Sequence, residues 1–115
     1  MHFKRWVAAA VPLLVACAGA HAAKAEAKAE GDAALLEKGK RLFTQDAAPP
    51  CMVCHTLRHA GAAGEIGPNL NEMAPDASRV EKAVRNGIGV MPPFKMSEAD
   101  LKLLAQYVAT ASRLP

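Results

Sequence analysis

Cys51-Met52-Val53-Cys54-His55 is the stretch that decides how this chain must fold. Two thiols three positions apart can reach the two vinyl groups on one edge of a porphyrin and form thioethers. The adjoining residue then sets an imidazole beneath the iron. C-x-x-C-H is the attachment spacing of c-type haem, so Cys51 and Cys54 are expected as covalent anchors and His55 as the proximal iron ligand of a single haem c. A thioredoxin-type dithiol would need a βαβ context that the flanking sequence lacks. A structural zinc site would need four ligands, and Cys17 is the one other cysteine of the chain. A disulfide between Cys51 and Cys54 would leave the adjoining histidine without a role.

The N-terminus fits export to the oxidising compartment that this chemistry needs. Lys4 and Arg5 form a basic start, Val7 to Val15 is apolar apart from Pro12, and Ala20-His21-Ala22 matches an A-x-A cleavage site. The apolar run is too short to stay as a membrane-spanning helix. Residues 1–22 are therefore expected to be a signal peptide and the protein to be periplasmic. Leu14-Val15-Ala16-Cys17 offers an alternative, a lipobox in which a lipidated Cys17 would anchor the protein to a membrane. Removing Lys4 and Arg5 from the 14 basic residues leaves them almost balanced by the 11 acidic ones. Nothing in that charge points to nucleic acid. A single small domain buries a modest core, to which a covalently held, mostly apolar haem would add.

Residues 23–31 are low in complexity and carry like charges at i, i+4, Lys24 with Lys28 and Glu26 with Glu30. They are expected to be a flexible leader, followed by one domain over residues 32–115. Leu35, Leu36, Gly39, Leu42 and Phe43 recur at helical spacing behind Asp32 as N-cap. Gly39 in mid-helix costs roughly 1 kcal/mol relative to Ala, which implies a close approach by another element. A helical turn is expected through Cys51 to Leu57, then a loop from His59 to Gly67. Asp76 should cap a further helix with Val80, Ala83 and Val84 on its buried stripe and Asn86-Gly87 as its stop. The last helix opens at Ser97 with Asp100 at the capping-box position and runs to about Ala111, burying Leu101, Leu104, Ala105 and Val108. No strand is expected.

What fills the sixth iron position separates a carrier from an enzyme. Met52 is held at the haem edge, His59 is one turn from His55 on the proximal side, and Met73 and Met96 read as packing residues. Met91 lies in a loop stiffened by Pro92 and Pro93, which lower the entropy cost of holding a weak thioether donor in place. His/Met ligation by His55 and Met91 follows as the expectation, since that pair is a standard cytochrome c arrangement.

Taken together, Cys51-x-x-Cys54-His55, Gly67-Pro68-x-Leu70, Met91-Pro92-Pro93-Phe94 and Leu103-Leu104-Ala105-x-Tyr107-Val108 resemble a small monohaem bacterial cytochrome c over residues 32–112. The resemblance implies an all-α cytochrome c fold, three main helices and short turns wrapped around one covalently bound haem. It implies that the Pro68 carbonyl accepts the Nδ1–H of His55, fixing its tautomer, and that the first and last helices cross at Gly39 and Tyr107. The stretch from Gly64 to Phe94 is similar, more narrowly, to cytochromes that accept electrons from periplasmic sulfite dehydrogenases. The expected function is a periplasmic one-electron carrier between a dehydrogenase and a respiratory oxidase or other cytochrome. Two alternatives stay open: a haem enzyme or sensor with an open sixth position, and an electron-input subunit of a larger dehydrogenase complex.

Overall fold

Ala, Lys, Glu and Leu, all strong helix formers, dominate the segment that the computed structural model folds into α1 (Ala18–Arg41). The structure describes residues 18–115; the basic start, the apolar run and Cys17 lie outside the described residues. Helix therefore runs through residues 23–31, where a flexible leader is expected, and Asp32 sits inside the helix instead of capping it. Leu36 and Phe43 pack on the core and supply a nucleus, from which helix propagates cheaply into Ala-rich sequence. The like-charged pairs cost only about 0.2–0.5 kcal/mol each. This arm is exposed along its length, and no helix among the described residues is long and apolar enough to cross a membrane.

Lys38, Lys40 and Arg41 close α1 with positive charge at the negative end of its dipole. A single π turn follows over Leu42–Asp46, in which the Ala47 N–H reaches the Leu42 carbonyl at 3.0 Å. Phe43 in this turn is 1% exposed, with its ring centroid 6.2 Å from that of Tyr107.

The haem-motif residues take one tight helical turn over Cys51–Val53 and then extend, so the helical turn expected to Leu57 stops early. Thr56 and Leu57 form β1, paired antiparallel with β2 (Ala62–Ala63) across a turn that ends at Gly61. That two-residue ladder corrects the expectation of no strand. The β-branched Thr56 favours extended backbone, and its hydroxyl donates to the Gly64 carbonyl at 3.0 Å.

Helix α2 (Leu70–Met73) is a four-residue helix capped by Asn69, whose side chain accepts from the Asn71 N–H. Helix α3 (Ala77–Asn86) starts where Asp76 accepts from the Arg79 N–H at 2.8 Å and stops at Gly87, φ 71°. Helix α4 (Glu98–Ala111) starts where Ser97 Oγ accepts from the Asp100 N–H at 3.1 Å. Its inner face buries Leu101, Leu104, Ala105, Tyr107, Val108 and Ala111, with α1 on one side and α3 on the other. Gly39 lets α1 meet α4 closely, because a Cβ there would lie 2.2 Å from the Tyr107 Cβ. The architecture is all-α apart from that two-residue ladder, with helices α1, α3 and α4 as its frame.

Candidate functional site

Tyr107 anchors the helix crossing on its far side as well. Its hydroxyl is hydrogen-bonded to His59 Nδ1 at 2.9 Å, and the two rings meet edge-on with centroids 5.6 Å apart. Burial, with the Glu37 carboxylate as a smaller cause, pushes the Tyr107 phenol up to about 12. His59 is thereby held against α4 and does not line the cavity described next.

That cavity has a volume of about 930 Å³ and mostly apolar walls, at the upper end of the range of about 300–1,000 Å³ that holds small ligands and cofactors. One wall is the motif itself, Cys51, Cys54 and His55, followed by Gly67, Pro68 and Leu70. Helix α3 contributes Val80, Ala83 and Val84; α4 contributes Leu104 and Val108; and the loop between them contributes Met91 and Phe94. The five residues expected from the sequence, Cys51, Cys54, His55, Pro68 and Met91, thus share one cavity. Met73 lines it too, although its spacing reads as packing, while Met52 and Met96 do not. The short α2 turns Met73 inward, and four residues give no periodicity from which to read that orientation.

Local backbone bonds set the motif. The His55 N–H returns to the Cys51 carbonyl at 3.0 Å, and the Gly67 N–H reaches the Cys54 carbonyl, which folds residues 64–68 back over the motif. A carbonyl can only accept, so the 2.8 Å contact between His55 Nδ1 and the Pro68 carbonyl is an Nδ1–H donation. It leaves Nε2 with a free lone pair. Gly67 lies flat on the imidazole: a Cβ there would stand 2.5 Å from His55 Cε1. Cys51 and Cys54 are both free thiols. Burial pushes the Cys51 thiol up to about 11, with the neighbouring Cys54 adding to it.

On the other side, the Met91 backbone is closed on Ile88 by two bonds, Ile88 N–H to Met91 O and Met91 N–H to Ile88 O, both 3.0 Å. The Phe94 N–H ties the loop end to the Val84 carbonyl at 2.8 Å. A deep apolar cavity with two free thiols on its edge, an oriented imidazole in its wall and a methionine on a loop tied at both ends is a donor set that fits a haem. The residues present fit that group.

The family model described as cytochrome c oxidase, cbb3-type, subunit III matches residues 34–108. No curated protein matches the chain. Among solved structures, the c-type cytochrome SorU from Sinorhizobium meliloti is similar, with 44% identity and a TM-score of 0.66; the match covers 68% of this chain and 91% of that one.

Proposed function

This chain belongs to the c-type cytochrome family matched over residues 34–108, and from that premise we propose that it is a periplasmic one-electron carrier with a single haem c ligated by His55 and Met91. Cys51 and Cys54 would hold the haem by thioethers. When bound, the haem supplies one-electron cycling between ferric and ferrous iron. His55 is kept in one orientation and tautomer by the Pro68 carbonyl, which raises its basicity as a donor. Met91 gives a soft thioether from a loop with little freedom, and Leu70, Val84, Phe94 and Leu104 keep water from the ring. A soft donor and apolar walls favour the less charged iron state and raise the potential.

The observation that carries this reading is the meeting of both thiols, the Pro68-held His55 and the clasped Met91 in one apolar cavity. An enzyme with an open position would want a distal acid or base; His59 is engaged by Tyr107 outside the cavity, and Asp76, which lines it, accepts from the Ser78 hydroxyl and the Arg79 N–H as the cap of α3. The electron donor we propose is a sulfite dehydrogenase, supported by the resemblance of Gly64 to Phe94 to cytochromes of that kind. A respiratory oxidase or another cytochrome is the proposed acceptor. Contacts with both should be small and transient, as redox encounters are.

Optical spectroscopy of the ferric protein tests the ligation. A methionine–iron charge-transfer band should be present in the wild type, absent in Met91→Ala and retained in Met73→Ala. A high-spin ferric spectrum in the wild type, or a band that depends on Met73, would overturn it.

A further inference from the structure

Three backbone carbonyls from two elements converge on the guanidinium of Arg113, just beyond α4. Nη1 donates to the Pro75 carbonyl at 3.0 Å and to the Ala109 carbonyl in the last turn of α4; Nη2 donates to the Ala74 carbonyl at 2.7 Å. Beside it, Asn71 Nδ2 donates to the Ser112 carbonyl at 3.1 Å, and Asn71 Oδ1 accepts from the Arg58 N–H at 2.8 Å. The corner between α2 and α3 is thus tied to the end of α4. The corner has a reason to need tying: Ala74 sits at φ 42°, a left-handed conformation that residues with a Cβ rarely adopt. Its own carbonyl is one of those Arg113 holds.

The same corner is a wall of the haem cavity. Met73, Pro75 and Asp76 line it, whereas Arg113 does not. We infer that Arg113 is a positioning residue for electron transfer: by holding the Ala74 and Pro75 carbonyls to α4, it fixes how closely the α2–α3 corner closes on the haem. The inference rests on the reading of the cavity as a haem site. A corner released from α4 admits water to the ring, and water favours the more highly charged ferric state. Arginine suits the task because its rigid planar fork donates along several directions at once. Lysine, a point charge, reproduces this only in part.

The test compares the holoprotein with Arg113→Ala and Arg113→Lys by spectroelectrochemical titration and by amide hydrogen exchange. At a fixed electrode potential the ferric-to-ferrous ratio of Arg113→Ala should rise about threefold, equivalent to about 28 mV at 59 mV per tenfold for one electron. The Met73 and Ala74 amides, bonded in the wild type to the Asn69 and Leu70 carbonyls, should exchange about tenfold faster. Arg113→Lys should fall between the two proteins on both readouts. Potential moving without exchange, exchange moving without potential, or neither moving overturns the proposal. Both readouts are scored whichever residue fills the sixth iron position, so failure of the Met91 ligation is a separate result.

Discussion

Replacing Gly39 by Ala should reverse the usual sign of a glycine substitution in a helix. In an exposed helix interior the change gains roughly 1 kcal/mol. Here the new Cβ would stand 2.2 Å from the Tyr107 Cβ and 2.3 Å from its Cγ, where ordinary carbon contacts are about 3.5–4.0 Å. The Tyr107 Cβ is fixed to its backbone, so no rotamer relieves the overlap and α1 and α4 must part by more than about 1 Å. A gap of that size forfeits a quarter to a half of each dispersion contact across the crossing. For Phe43 and Tyr107, whose burial stabilises by about 1.5–3 kcal/mol each, the loss is about 2 kcal/mol. The His59–Tyr107 bond adds about 1 kcal/mol if it breaks. Offsetting the helix gain leaves a net destabilisation of about 2 kcal/mol, or about 1 M in the urea midpoint. Urea unfolding of the holoprotein followed by circular dichroism measures it. Gly31→Ala is the control: no atom from another part of the fold lies within 4 Å of its Cβ, so it should raise the helical signal and leave the midpoint unchanged or higher by the helix gain. A Gly39→Ala midpoint equal to or above that of the wild type would refute the reasoning.

Gly67→Ala drives a methyl into the His55 ring; displacement of the imidazole from the Pro68 carbonyl should weaken haem-iron ligation by about 10- to 100-fold, read as loss of the low-spin ferric spectrum, and an unaltered spectrum counts against the packing described. Acid should destabilise the fold through Asp76 and Glu98, whose carboxyls are held below their ordinary values by the Arg79 N–H and Ser78 hydroxyl, and by Arg85, respectively. Because both folded values are lowered, the stabilisation is complete above the ordinary values of 3.8 and 4.5 and is lost as pH falls below them; urea midpoints across that window should fall less steeply in the double variant Asp76→Asn/Glu98→Gln, and an unchanged slope would exclude these two groups.

Much of the frame is legible in the residues because its signals are local. Ser97 with Asp100, and Asp76 with Asn86-Gly87, place the ends of α4 and α3 through side chains that act within one turn. The haem motif and the proline-braced Met91 also lie within short windows. What escapes the sequence is set at long range or by cooperativity. Residues 23–31 carry unfavourable pairs yet continue a helix nucleated further along by the α1–α4 contact. Met73 sits at a corner that Arg113 and Asn71, about forty positions apart, tie to the end of α4. The Tyr107–His59 bond spans 48 positions, and backbone acceptors such as the Ala74 carbonyl leave no mark on residue identity.

The loop from Gly87 to Phe94 closes on itself. Its ends are bonded to neighbouring carbonyls of α3, Gly87 N–H to Ala83 and Phe94 N–H to Val84, and Met91 is satisfied by Ile88. These bonds use main-chain atoms alone. The loop therefore behaves as a cassette: the side chain it presents can change identity while the bundle that carries it stays the same. Under the proposed ligation, mutation can retune the potential of this scaffold over a wide range by exchanging one side chain, without rebuilding the helices that keep it folded.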